Sequence, residues 1–188
     1  MHMTSRQIWT ALHGMGLGAL FLLAFSGGLI ALLNLRSRWI TPEGEERIGR
    51  SLARWTCTMA VLAWLTVIAG TWIVYPWYRA KPPAITPAMT SAMTSAAAAS
   101  ASMSAASLSA YPKFLLVSQP SLSGWHELGM EWKEHVAWLA PMLATAVAFV
   151  VTRYRRQVAG DDLLRRTLLA LFGVAFFCAA VAGFFGAM

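Results

Sequence analysis

Four apolar runs, each about 20 residues or longer, constrain this chain more than any other feature, because such runs are long enough to cross a bilayer. The apolar residues fill each run instead of forming one stripe, which is typical of helices in lipid. Of the 188 residues, 57% are hydrophobic and 12% are charged, whereas soluble domains have about 25% charged residues. The sequence therefore predicts one all-α integral membrane domain, residues 1–188, with four transmembrane helices at about 8–35, 55–75, 130–152 and 167–188.

The positions of the basic residues indicate how these helices are oriented. Residues 36–54 and 153–166 are short loops that hold five Lys or Arg each, and the remaining five of the 15 are spread over the N-terminus and residues 76–134. Because short cytoplasmic loops carry an excess of Lys and Arg, we expect both loops inside and both termini outside. This predicts an up-down-up-down bundle in the bacterial inner (cytoplasmic) membrane. The net charge of +7 arises from basic residues in short segments beside the apolar runs, where they set topology, so no nucleic-acid partner is expected.

A low-complexity segment separates the second and third predicted helices. The predicted outer linker covers about residues 79–124, and its part from 84 to 112 is dominated by Ala, Ser, Thr and Met and carries no charge. A segment of this composition buries too little apolar surface to fold by itself. We expect it to act as a spacer or a contact arm.

Two histidines have matching depths in the first and third predicted helices. His13 lies 20 residues before Leu33 and His135 lies 17 residues before Thr152, which is roughly 30 Å and 26 Å at the rise of an α-helix. The two helices run in the same direction in the predicted topology, so both imidazoles come near the outer edge of the bilayer. An ionisable group there is costly unless it faces the bundle interior and has a partner. Two neutral imidazoles on facing helices can supply both axial ligands of a b-type haem.

Three small residues beside His13 bear on the same hypothesis. Gly14, Gly16 and Gly18 remove side chains from this part of the first helix. The resulting space would admit a flat macrocycle. It would equally admit another helix, because Gly14 and Gly18 also have the spacing of a helix-packing motif.

In this placement of His13, His135 and the three glycines, the chain resembles four-helix membrane b-type cytochromes, the haem-bearing membrane anchors of respiratory complexes. The resemblance covers the layout of the first three helices. It implies one haem b, with His13 and His135 as ligands of the haem iron between the first and third helices near the outer face. It also implies electron transport between quinol and a periplasmic partner such as a cytochrome, in contact with other membrane subunits. The second and fourth helices lack histidine, which departs from the two-haem pattern of many such proteins.

Other interpretations of the histidines stay open. Both imidazoles lie near an interface where they reach water or lipid headgroups, so either can be structural. A second set of side chains would suit Zn, Fe or Mn; it comprises His126, Glu127, Glu131, Glu134 and His135. The solvated acidic start of a helix explains the same residues. Without a haem, the chain would be a cofactor-free accessory subunit that stabilises a larger respiratory or photosynthetic complex.

The sequence predicts no catalytic residues. It has no nucleophile motif, no Gly-rich phosphate loop and no HExxH. Cys57 and Cys178 are not in a CxxC or CxxCH arrangement, which argues against covalent haem and Fe–S clusters. At most, the chain is a non-catalytic electron-transfer subunit of an oxidoreductase complex.

Overall fold

The structure is a computed structural model that describes residues 4–35, 41–81, 111–117 and 120–187. It confirms the all-helical class and contains four helices that are long and apolar enough to cross a membrane. Most of the predicted linker, together with His2, Arg36 and Arg38, lies outside the described residues.

The described residues form six helices, and four of these are candidate membrane spans, the first, second, fourth and sixth in chain order. Two of these spans contain a short π-helical segment, Leu12–Gly16 in the first and Gly70–Val74 in the second. In chain order the helices are α1 Ser5–Asn34, α2 Pro42–Tyr78, α3 Pro112–Val117, α4 Pro120–Arg153, α5 Arg155–Gly160 and α6 Asp162–Ala187.

The helix α2 is longer than a bilayer requires because a strong start signal precedes its apolar part. Its 37 residues correspond to roughly 55 Å at the usual rise per residue. The hydroxyl of Thr41 accepts a hydrogen bond from the backbone N–H of Gly44 at 3.2 Å, and Pro42 occupies the first turn. Both features favour the start of a helix. The helix therefore begins well before residue 55.

Two proline residues lie inside the spans. The helix α2 continues through Pro76 and ends two residues later, at Tyr78. The π-helical segment Gly70–Val74 comes directly before it and has a wider turn, which makes room for a ring that would clash in a regular α-helix. Pro141 likewise lies inside α4, and its carbonyl accepts a hydrogen bond from Thr145 at 2.6 Å.

The spans pack as a ring in which α1 contacts α2, α2 contacts α4, and α4 contacts α6. The ring closes through a smaller contact between α6 and α1, so α1 and α4 lie diagonally across the bundle. The core is made of apolar side chains from all four spans and from α5; it includes Phe21, Ala24, Leu32, Leu52, Met59, Ala63, Val147, Val151, Val158, Leu168, Phe172 and Ala175.

Close contacts at glycine hold α1 between its two neighbours. On one side, Phe172 of α6 lies against Gly28, where an added Cβ would be 2.7 Å from the ring atom Cζ. Phe25 stacks on the same Phe172 ring, with the centroids 4.9 Å apart. On the other side, Trp55 of α2 lies against Gly27. Since lipid tails are as apolar as side chains, such van der Waals contacts carry much of the association between membrane helices.

Most charged side chains lie at one end of the bundle, which we call the arginine end. It comprises the start of α2, the end of α4, the helix α5 and the start of α6. The side chain of Val158 in α5 is fully buried there, as are those of Leu52, Val151 and Leu168 from the spans. The apolar core of the bundle therefore extends into the arginine end and includes α5.

The contact between Gly28 and Phe172 gives a stability prediction. We expect Gly28→Ala to lower the thermal midpoint of the purified protein in detergent, because the added methyl group meets a ring already held by Phe25. The expected loss in the free energy of unfolding is about 1–3 kcal/mol, the usual range for overpacking. Gly18→Ala is the matched control, because a Cβ at Gly18 meets no described atom within 4 Å. Equal midpoints for the two variants would contradict the packing described here.

Candidate functional site

Polar side chains gather at the other end of the bundle, which we call the histidine end. They come from α1, from the last turns of α2 and from the first half of α4, opposite the arginine end. The members that contact another helix are His13, Tyr75, Tyr78, His126, Lys133 and Glu134.

His13 lies in the π-helical segment of α1, and its ring is directed at α2. A Cβ built on Gly70 would lie 2.9 Å from Cε1 and 3.3 Å from Nε2 of the imidazole, so only glycine leaves room for this ring. The Nδ1 atom is buried and has no hydrogen-bond partner among the described residues. A buried polar atom without a partner is costly. His13 is therefore the group at this end that most needs a ligand or a proton-sharing partner.

The two π-helical segments of the structure meet at this contact. His13 belongs to Leu12–Gly16, and Gly70 opens Gly70–Val74. Segments of this kind are rare, arise inside α-helices and occur often at functional sites. Each one changes the direction of the side chains that follow it. Their meeting at one imidazole marks His13 as the centre of the candidate site.

Lys133 of α4 places its ammonium group at the end of α6. A Cβ built on Gly186 would lie 3.1 Å from Nζ of Lys133, within the last turn of that helix. The final carbonyl groups of a helix lack partners within it and carry partial negative charge. The position of Lys133 is explained by this attraction, and it adds positive charge to the surroundings of His13.

Two tyrosines near the end of α2 form hydrogen bonds to α4. The hydroxyl of Tyr75 donates to Oε1 of Glu134, and the hydroxyl of Tyr78 is hydrogen-bonded to Nε2 of His126. The tyrosine rings stack with their centroids 6.0 Å apart, and the guanidinium carbon of Arg79 lies 5.2 Å from the centroid of Tyr75. These bonds tie the end of α2 to the first half of α4.

His135 does not face His13 in the structure. Its side chain is exposed, and its Nδ1 donates to the carbonyl oxygen of Glu131, one turn earlier in α4, at 2.7 Å. That bond leaves Nε2 available, which is the usual arrangement of a histidine that binds a metal. The ring of His13, in contrast, is directed at α2. The structure therefore places the two predicted haem ligands in different surroundings, and their shared ligation of a haem stays a prediction.

The glycines beside His13 leave an open strip on α1. A Cβ built on Gly14 or Gly18 meets no described atom within 4 Å, and one on Gly16 meets only Leu12 of its own helix. No other described helix fills the strip at Gly14 and Gly18. Its predicted use, by a macrocycle or by a helix, stays a prediction.

The alternative metal site of the sequence analysis does not assemble. Within the described ranges, no group of three or more His, Cys, Asp or Glu side chains is close enough to hold a metal ion. His126 is bonded to Tyr78 and Glu134 to Tyr75, which draws two of the proposed ligands toward α2.

Sequence reasoning missed the neighbour of His13. Gly70 was not connected to it, because the contact depends on which face of α1 meets α2. One signal was present in the sequence: a glycine in the last third of the second predicted span, the end of that span at which the predicted topology also puts His13.

Comparisons of the chain with protein-family models, with curated proteins and with solved structures gave no match.

Proposed function

We propose that this chain is a membrane subunit of an electron-transfer complex that binds one b-type haem at the histidine end. The observation that carries the proposal is the buried Nδ1 of His13, which has no partner among the described residues. A ligand bound at this imidazole would relieve the cost of burying it, and either nitrogen of a neutral imidazole can bind a metal. When bound, a haem would supply one-electron transfer between quinol and a periplasmic partner.

The structure of the histidine end supports His13 more strongly than His135 as a haem ligand. His13 is partly buried in the bundle and is supported as the first ligand. His135 is supported as the second ligand by its predicted depth in the bilayer, which matches that of His13. The bond from Nδ1 to the carbonyl oxygen of Glu131 also supports it, because this bond orients the ring and leaves Nε2 available. Its exposed side chain would have to turn toward α1 to share a haem with His13. The open strip at Gly14 and Gly18 lies beside the first ligand and offers a surface without side chains.

The proposed orientation puts the arginine end in the cytoplasm and the histidine end outside, in a bacterial inner membrane. It is supported by the ten basic residues in 36–54 and 153–166, five in each. In this orientation a haem near His13 would be close to a partner on the periplasmic side.

A second candidate function is that of a cofactor-free accessory subunit, and the open strip on α1 favours it. Met15, between the glycines of this strip, is 78% exposed. A helix of another membrane subunit would pack closely on such a surface, since small residues let helix backbones approach each other.

The reduced-minus-oxidised absorbance spectrum of the purified protein separates the two functions. The haem proposal predicts Soret and α bands in material produced with sufficient haem. It also predicts that His13→Ala abolishes them and that His135→Ala abolishes them or converts the haem to five-coordinate. His126→Ala is the matched control, because His126 is bonded to Tyr78, and it should keep the bands. Absence of the bands in the wild type would remove the haem proposal and leave the accessory role.

The orientation is tested by thiol labelling in intact cells. In a protein without Cys57 and Cys178, we expect Ser121→Cys at the histidine end to react with a membrane-impermeant maleimide. Gly160→Cys at the arginine end should react only after permeabilisation. Both positions are exposed in the structure, so burial does not limit their labelling. The reverse pattern would show that the termini lie inside.

A further inference from the structure

A cleft opens between α1 and α6 at the arginine end. Its apolar wall is formed by Leu32, Leu33 and Leu169. Its polar rim is formed by Asp162, Arg165 and Arg166, and the cleft is a shallow groove on the surface of the bundle. The contact between α1 and α6 is the smallest of the four that close the ring of spans. The cleft thus combines an apolar groove with basic groups at one end, as a lipid molecule would require.

The guanidinium group of Arg165 is held in a fixed position in this cleft. One of its terminal nitrogens, Nη1, donates to the carbonyl oxygens of Val158 at 3.2 Å and Ala159 at 2.5 Å. The other, Nη2, lies 3.0 Å from Oδ1 of Asp162. The third nitrogen of the side chain, Nε, is buried and has no hydrogen-bond partner among the described residues.

Arg166 brings a second positive charge to the rim. Its side chain is 69% exposed, and Nη2 lies 2.6 Å from Oδ2 of Asp162. Two arginines and one aspartate leave a net charge of +1 on the rim. An exposed ion pair of this kind adds little stability, so the Arg166 guanidinium can take a second acceptor at small cost.

We infer that this cleft binds the headgroup phosphate of an anionic phospholipid, with the acyl chains along the apolar wall. Basic pockets between membrane helices are a known form of anionic headgroup site. The fork of an arginine matches phosphate oxygens well. A bound phosphate would form an ion pair with Arg166. It would also place a hydrogen-bond acceptor at the mouth of the cleft, beside Arg165. The site lies at the opposite end from His13 and does not depend on the proposed haem.

A purely structural role explains only part of this arrangement. By bonding to Val158 and Ala159, Arg165 holds the end of α5 against α6, and a substitution of Arg165 is expected to disturb folding. That role does not account for the exposed Arg166 beside the apolar groove. Arg166→Gln is therefore the informative variant, and Leu33→Trp tests the groove because a larger side chain fills it without changing the charge.

The test measures lipid binding to the full purified chain in detergent by native mass spectrometry. Phosphatidylglycerol and phosphatidylcholine with identical acyl chains are added separately, and inorganic phosphate is added in a third arm. Arg156→Gln is the matched control, because Arg156 is an exposed arginine of α5 that does not line the cleft. Circular dichroism and size exclusion verify that each variant is folded.

We expect the wild type to prefer phosphatidylglycerol to phosphatidylcholine. Arg166→Gln should weaken phosphatidylglycerol binding about fivefold, the effect of one basic residue near an anionic membrane surface. Leu33→Trp should also weaken it, and Arg156→Gln should leave it unchanged. Equal binding of the two lipids, or equal losses in Arg166→Gln and Arg156→Gln, would overturn the inference. Displacement of the lipid by millimolar inorganic phosphate would instead identify a free-anion site and overturn the lipid assignment.

Discussion

The bundle depends on close contact between helices at glycine. In hydrocarbon, apolar side chains gain nothing by leaving lipid, so van der Waals packing and a few hydrogen bonds hold the spans together. The rings of Phe172 and Trp55 lie directly on Gly28 and Gly27, and α1 is thereby held between α6 and α2. Because α1 cannot rotate without losing both contacts, His13, four turns earlier in the same helix, is held toward α2.

Most of the polar contacts between helices lie at the two ends of the bundle, while in the middle the indole N–H of Trp64 donates to Oγ1 of Thr145 at 3.0 Å. At the histidine end the hydrogen bonds use hydroxyl, carboxylate and imidazole groups, and at the arginine end they use guanidinium groups and backbone carbonyls. Each end also keeps one buried nitrogen without a described partner, Nδ1 of His13 and Nε of Arg165. The haem proposal starts from the first of these atoms, since an unpaired buried donor or acceptor is costly in a membrane bundle. The lipid proposal starts from the exposed Arg166 beside the apolar groove.

The number and type of the spans could be predicted from sequence because hydropathy is a local property of the chain. The position of His13 near one end of its span could be predicted for the same reason. The neighbour that His13 faces could not, because that depends on packing at Gly27 and Gly28, far along the helix. Glycine spacing alone did not indicate this contact: a Cβ at the regularly spaced Gly14 or Gly18 meets no described atom within 4 Å, whereas Gly70, alone in its helix turn, meets the histidine. The passage of α2 through Pro76 depends on a π-helical segment that no sequence pattern indicates.

The contact between His13 and Gly70 is the centre of this account, and a cross-link tests it most directly. Two double variants of the chain without native cysteines are compared in membranes with a short thiol-specific bifunctional reagent. One carries His13→Cys with Gly70→Cys, and the other carries His13→Cys with His135→Cys. The account predicts rapid cross-linking of the first pair and little of the second, because α1 packs on α2 and lies diagonally from α4. Preferential cross-linking of positions 13 and 135 would contradict it.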